Sequence, residues 1–503
     1  MTRTRRNFIA GSAALIGLSA KAEKRIDGSF VNDSFDIGHK LRARLSPVSP
    51  KRMERVPVVI IGGGIAGLSA AWRLQKRGFR DFVLLEMNAE AGGNSRSGKN
   101  AVSEYPWAAH YVPVPGVKAT YVRELFEELG VLQNGVWNER YLCFTPQERL
   151  FLHGRWQESI EPAAGLTERD REQFRKLEDL LDGFRASGAF QIPMEPGLSA
   201  ATANLDRVNF AQWLREQGID SEPALWYMNY CCRDDYGALA KDVSAWAGIH
   251  YFSSRTATEK GPLTWPEGNG WILKRLLQQV GAHVRMGQMV VRIESVNNRY
   301  RIRTTDAEYI ANSVIFAAPM FLAPYLMADA PKLPRIEYSP WLTANLTLDR
   351  PPSGGATSQR AWDNVVYGSP SLGYVDATHQ TVRTHVDRTV WTYYWALGDR
   401  LPAEARKLLL ERDWNYWKET ILTDLARVHP NIRDCVSRID IMRIGHAMAR
   451  PTPGLIFSPE RRALAKSNGR FRFANSDVSG FSIFEEAQYR GVTAADGILQ
   501  AIG

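Results

Sequence analysis

Cysteine is scarce: Cys143, Cys231, Cys232 and Cys435 are the only four in 503 residues. Their spacing matches no zinc site, and four thiols cannot make a dense disulfide scaffold. Cys231 and Cys232 are adjacent and read either as two buried thiols or as a strained vicinal disulfide. Long apolar runs are missing as well. The run Phe8 to Ala20 is too short for a stable helix across a bilayer, so no stable membrane span is expected. No basic run is interleaved with aromatic residues, which argues against nucleic acid as a partner. The formal charge of +9 drops to +5 once the four cations Arg3, Arg5, Arg6 and Lys21 are set aside, leaving a mildly basic solvated surface. Hydrophobic residues at 44% and charged residues at 23% are ordinary for a globular protein. A chain of 503 residues is too long for one compact core and predicts about two to four units.

The N-terminus has a pattern of its own. Thr4-Arg5-Arg6-Asn7-Phe8 precedes a weakly apolar stretch that ends in Ala20-Lys21-Ala22, a small-x-small cleavage site. This is the pattern of a twin-arginine export signal, residues 1–22, cleaved near Ala22. The expected partner is the twin-arginine export machinery, and the expected location is the periplasm or the exterior. That route carries folded proteins.

The chemistry starts at Val58. Four apolar β-formers, Val58 to Ile61, run into Gly62-x-Gly64-x-x-Gly67, and a helical pattern follows from Ala66 to near Gly78. A second strand, Asp81 to Leu85, ends at Glu86, nineteen residues after Gly67. Each part has a physical job in a dinucleotide site. Gly62 makes the tight turn, Gly64 lets backbone approach a pyrophosphate, Gly67 lets helix pack on strand, and Glu86 meets ribose hydroxyls. The helix start, near Ala66, offers free N–H groups to phosphate.

Residues 23–55 are polar and proline-punctuated and read as an extended arm. Glu90 to Ser97 forms a second small-residue turn, and Tyr105 to Pro115 a rigid aromatic loop with three prolines. Lys118 to about Phe252 is mainly helical, with a Thr-x-x-Asp start at Thr167 and a hairpin at Arg149 to Trp156. Tyr230 to Gly237 reads as a turn in which Asp234 and Asp235 cap a helix or hold a cation. Strands resume from His283 to Phe316, Leu342 to Leu348 and Val390 to Trp395 alternate, and one long helix is expected from Ala403 to about Val428.

With the C-terminal segment included, the chain resembles the flavin-dependent amine oxidase superfamily: monoamine and polyamine oxidases and phytoene-desaturase-like enzymes. The resemblance covers nearly everything after Val56. Its FAD signature matches Gly62 to Gly67 with Ala66, Glu86, Gly92 and Gly93; further matches are Gly268-Asn269-Gly270, Ser313 to Pro319, Phe473 to Asp477, Ser479-Gly480 and Phe484 to Ala495. The resemblance implies FAD rather than NAD as cofactor, with Val290 at the adenine, Asp477 at the ribityl chain and the final helix, opening near Ile483, aimed at the flavin ring. There are departures. Asn94 stands where the family has an arginine, with Arg96 as its substitute; Thr343 stands where the amine oxidases have a lysine; Ala447 and Ile483 replace the two tyrosines of the aromatic cage. His446 falls at the position of the cysteine that tethers flavin in monoamine oxidases, and His110 where the family lines the other side of the ring. Both are the candidate catalytic residues, His446 as a flavin-facing hydrogen-bonding or acid–base group, a packed histidine or a covalent anchor.

The expected architecture is α/β: a Rossmann-type FAD-binding domain from residues 56–117, 255–325 and 436–503, and a mixed α+β substrate domain from 118–254 and 326–435. The expected function is an exported FAD-dependent oxidoreductase that moves hydride from a small-molecule substrate, an amine on resemblance, to flavin. A desaturase or isomerase, or a flavin-bearing accessory protein, is the alternative.

Overall fold

The computed structural model describes residues 24–31, 34–43, 50–255, 261–352, 360–381, 385–466 and 469–502. The export signal at 1–22 lies outside these. The strands Val58–Ile61 and Phe82–Leu85 are apolar at every position and buried at every position, as a parallel sheet covered on both faces requires. They form the centre of a five-stranded parallel sheet. Its other strands come from far along the chain: Ser313–Phe316 and Phe471–Phe473 beyond Val58–Ile61, and Val284–Arg285 beyond Phe82–Leu85. Helix Ile65–Lys76 lies on this sheet, and the last helix, Phe484–Ile502, lies on that helix. The approach is close because a Cβ at Gly491 would sit 2.1 Å from the Ala66 carbonyl oxygen. Arg73 then forks both oxygens of Asp496, at 2.8 and 2.9 Å, tying the first helix to the last.

An eight-stranded mixed sheet forms the second layer system. Its long central strands are Val436–Arg450, Glu337–Leu348 and Thr389–Ala396, flanked by Asp27–Phe30 on one side and by Gly373–Asp376, Asp363–Val366, Glu148–Leu152 and Arg155–Glu158 on the other. Helices Glu168–Ser187, Phe210–Glu216, Glu222–Tyr236 and Ala245–Ser253 build a separate apolar cluster beside it. The Thr167 start is a full capping box with Asp170.

Several expectations change. The 23–55 segment is not a free arm: Asp27–Phe30 pairs with Val436–Arg450, Arg52–Arg55 pairs with Ala307–Ala311, and Phe35–His39 is helical. Ile26 and Phe30 pack on the core around Trp417, which gives this polar stretch its anchor. Val436–Arg450 lies in the eight-stranded sheet, so the segment boundary expected at 436 cuts through that sheet. The long helix is two, Pro402–Glu411 and Trp414–Ala426, because the Asp413 side chain accepts from Tyr416 N at 2.8 Å and starts a new helix. Tyr309 to Phe316 divides at Asn312 into strands of two different sheets. Tyr230 to Tyr236 is helix rather than turn, ended by Gly237 at φ +60°. No helix among the described residues is long and apolar enough to cross a membrane.

Candidate functional site

One cavity of about 990 Å³ runs from the C-terminal edge of the parallel sheet to the eight-stranded sheet. Brought together along one end are Gly62, Gly64, Ala66, Glu86, Gly93, Asn94, Arg96 and Val290, and farther along are Asp477, Ile483, His446 and His110. Gly67 does not line the cavity. Its role is packing, since a Cβ there would meet Gly62 O at 1.9 Å.

The cradle end is built from backbone. Gly62 sits at φ +103°, and a Cβ at Gly64 would meet nothing within 4 Å, so that glycine opens onto free space. Glu86 closes the turn: its Oε2 accepts from Gly63 N at 2.7 Å and its Oε1 from Asn88 N at 2.8 Å. Arg96 donates to Gly93 O at 3.1 Å, and Asn94 donates to Ala447 O at 2.8 Å, joining the two sheets across the cavity. Val290 is buried at the start of its strand. The Asp477 carboxylate is buried and accepts from Met320 N and from Tyr338 Oη, both at 2.8 Å. Burial pushes it up to about 6 against those two donors. An open glycine turn at a helix start, a carboxylate at the end of the second strand and a second glycine turn at Gly92-Gly93 fit a dinucleotide such as FAD.

The other end carries rings and carboxyls. His110 stacks on Tyr394 at 4.5 Å and 26°, with Trp362 at 5.4 Å and Tyr111 at 4.9 Å. Its Nδ1 lies 3.3 Å from Ala108 O, which places the proton on Nδ1 and leaves Nε2 a lone pair. Burial lowers its pKa to about 4, so the ring is neutral near pH 7. The loop is held by Thr264, which donates to His110 O at 2.8 Å, and by Gly268, whose absent Cβ lets its chain approach the His110 backbone. His446 occupies a different wall, stacked on Phe321 at 4.5 Å with Tyr338 at 5.8 Å. Burial, helped by Arg406, Arg42 and His39, lowers it to about 4 as well. The two histidines share no ring partner.

Asp234 and Asp235 cap no helix among the described residues. They leave the last turn of Glu222–Tyr236 and line the cavity, where Tyr111 Oη donates to Asp234 at 3.2 Å. Burial, then the neighbouring Asp235, raises Asp234 to about 7. Arg255 stands 3.9 Å from Asp235 and 3.9 Å from Glu485. Cys231 and Cys232, one turn back, are buried free thiols. Thr343 is buried on the central strand, its hydroxyl without a partner. Sequence reasoning missed Tyr394, Trp341 and Arg255, and also Phe35, His39 and Arg42 of the N-terminal segment, all of which line the cavity. The alternation in Thr389–Ala396 held a signal for Tyr394, which shares a face with Thr392.

A family model described as flavin containing amine oxidoreductase matches residues 65–499. The chain is 22% identical over 475 residues to the bovine flavin-containing amine oxidase B, covering 89% of this chain and 86% of that one. It is 25% identical over 296 residues to a probable flavin-containing monoamine oxidase A of Dictyostelium discoideum, a match to 56% of this chain and only 59% of that protein's length. Among solved structures, wild-type putrescine oxidase bound to putrescine is similar in fold, with a TM-score of 0.66 at 19% identity over 89% of this chain and all of that one. With the motif match spanning most of the chain and the glycine cradle in place, the protein belongs to the family of flavin-containing amine oxidoreductases, and its cofactor is FAD.

Proposed function

We propose that the protein is an exported oxidoreductase that takes a hydride from the carbon next to nitrogen in a small amine. The carrying observation is that the dinucleotide cradle and a wall of neutral rings, His110, Tyr394 and Trp341, line the same cavity. FAD, when bound, supplies the two-electron acceptor. The chain's own residues supply everything else. Hydride loss leaves the electron pair of nitrogen to form a C=N bond, so the amine must be neutral when it reacts. A neutral imidazole and phenols, which do not hold an ammonium, suit that step. Nε2 of His110 can accept an amine N–H and orient the nitrogen, while Tyr111 and Tyr394 exclude water from the ring face. Ala447 and Ile483, where the family has tyrosines, leave more width for the substrate.

Export by the twin-arginine route is part of the proposal, supported by Arg5-Arg6 and the small-residue cleavage site at Ala20-Lys21-Ala22. The test is anaerobic mixing of the holoprotein with a panel of primary amines, read by flavin bleaching, with dithionite as the reducing control. Bleaching by an amine and peroxide or reduced acceptor on turnover support the reading. Bleaching by dithionite alone overturns it in favour of an accessory flavoprotein. Substitution of Arg5 and Arg6 by lysine should leave the uncleaved precursor in the cytoplasm.

A further inference from the structure

The His446 wall of the cavity carries positive charge that the amine chemistry does not use. Arg42, on the short turn Lys40–Ala43, and Arg406, on helix Pro402–Glu411, both line it beside His39. Neither arginine has an ion-pair partner among the described residues, and the one hydrogen bond between them runs from Arg406 Nη1 to Tyr338 O at 3.4 Å. The Arg406 stem packs on Gly445, the neighbour of His446, since a Cβ there would meet its Cδ at 3.5 Å. Arg42 is fixed by its own segment. Asp27–Phe30 pairs with Val436–Arg450, the strand that carries His446, and Arg443 of that strand lies 3.7 Å over the Phe30 ring and 5.2 Å over Phe35. Glu337 lines the same wall and offsets Arg406 in part, and Asp36 offsets His39 in part. At the His446 ring, however, the acting neighbours are Arg406, Arg42 and His39, all of one sign. Both histidines are neutral near pH 7, so the standing charge is that of the two arginines.

The glycine cradle takes the adenosine and phosphate half of FAD, so the ring half extends along the cavity toward Asp477 and His446. Tyr338 joins those two: its Oη donates to Asp477 at 2.8 Å and its ring lies 5.8 Å from His446. Reduction of FAD takes up two electrons and one proton, so a ring that is neutral when oxidised becomes an anion. Unpaired positive charge on the facing wall favours that form. We propose that Arg42 and Arg406 raise the reduction potential of the bound FAD by holding uncompensated charge on the wall its ring half faces, so that the chain binds reduced FAD more tightly than oxidised FAD. This rests on FAD binding alone and holds whichever substrate bond is oxidised.

The test needs no substrate. Anaerobic reduction of the holoprotein by dithionite against a reference dye gives the potential, and flavin released on dilution gives the affinity for oxidised FAD. Sulfite is a second probe: its lone pair forms a bond to flavin N5 and leaves the ring anionic, so its Kd reads the same field. Arg406→Gln and Arg42→Gln should each lower the preference for reduced over oxidised FAD about tenfold, a fall of about 30 mV for a two-electron couple. Each should weaken sulfite binding about tenfold, while the affinity for oxidised FAD changes less than about threefold. Arg406→Lys and Arg42→Lys, which keep the charge, should stay within about threefold of wild type on every readout. Arg42 is exposed, so its variants cover the case in which Arg406→Gln fails to fold. A potential and a sulfite Kd that the double Gln variant leaves unchanged overturn the proposal. Equal weakening of oxidised and reduced FAD also overturns it and assigns the arginines to the pyrophosphate. If the Lys variants fall as far as the Gln variants, packing rather than charge is responsible, and the proposal fails.

Discussion

The two ends of the cavity solve opposite problems. At the cradle the contacts are backbone and nearly complete: Glu86 is met by two N–H donors, Gly92 N donates to Gly63 O at 2.7 Å, and Gly67 packs on Gly62. At the far end the contacts are side chains, and they are incomplete, with crowded carboxyls, one guanidinium and an open acceptor on Glu485. The cradle is therefore rigid before any ligand arrives, and its ligand is common to a whole family. The acidic end crowds carboxyls around one guanidinium, and this is where one member can differ from another.

The sharpest way to break the contrast is Gly67→Ala. The new methyl would lie 1.9 Å from Gly62 O, a backbone atom that cannot swing aside. Overpacking of this kind costs about 1–3 kcal/mol, and here it falls on the phosphate turn, so FAD should bind about a hundredfold more weakly. Flavin content of the purified protein and an FAD titration of the apoprotein measure it. Retention of full FAD would mean the cradle is softer than the acidic end, and the comparison would fail.

A second test uses pH, because burial acts on the two residue types with opposite sign. Asp234 and Glu485 are each raised to about 7, and unfolded they would titrate near the ordinary carboxyl range. The native state holds their protons longer, so their contribution is full at low pH and is lost as pH rises toward and past 7. His110 and His446 in the cavity and the buried core residue His429 are lowered to about 4, and buried His250 to about 3, so their contribution is present above the unfolded value of 6.5 and is lost as pH falls through 6.5 toward 4. Above pH 6.5 only the carboxyls still act. Ligand-free Tm should therefore fall between pH 6.5 and about 7.5, and Asp234→Asn should recover about 2 kcal/mol at pH 8, discounted because the cavity admits water. Calorimetry of both proteins across that range checks it. A wild-type Tm that rises from pH 6.5 to 8, or an Asp234→Asn curve parallel to wild type, contradicts the crowded acidic end.

The same contrast explains what the sequence made legible. Gly62, Gly64, Gly67 and Glu86 lie within one βαβ unit, where local spacing dictates the turn, so their roles were readable residue by residue. Thr167 and Asp170 were readable for the same reason. The acidic end is assembled from Asp234, Arg255 and Glu485, which are tens to hundreds of residues apart and meet only through helix packing. No local period marks them, and Asp234 even mimics a helix cap. Phe35, His39 and Arg42 were hidden by a polar, proline-broken context, although the alternation of Ile26 and Phe30 now accounts for their anchoring. Asp413 was a visible cap signal that helical periodicity masked.

Thr343 gives the smallest effect and separates two kinds of unsatisfied group. Its hydroxyl is fully buried without a partner on the strand between the two ends, at the position where the resemblance places the amine oxidases' lysine. A polar atom left open for no purpose is a net cost, so the near-isosteric Thr343→Val should stabilise the protein by about 1 kcal/mol, read as a higher denaturation midpoint. Glu485 lines the cavity, whereas Thr343 is not among the lining residues. Filling the cavity with a primary amine should therefore leave Thr343 as it was. The gain from Thr343→Val should then be the same with and without the amine. A gain that vanishes when the amine binds would place Thr343 within the substrate's hydrogen-bond network and move the boundary between the neutral wall and the acidic end.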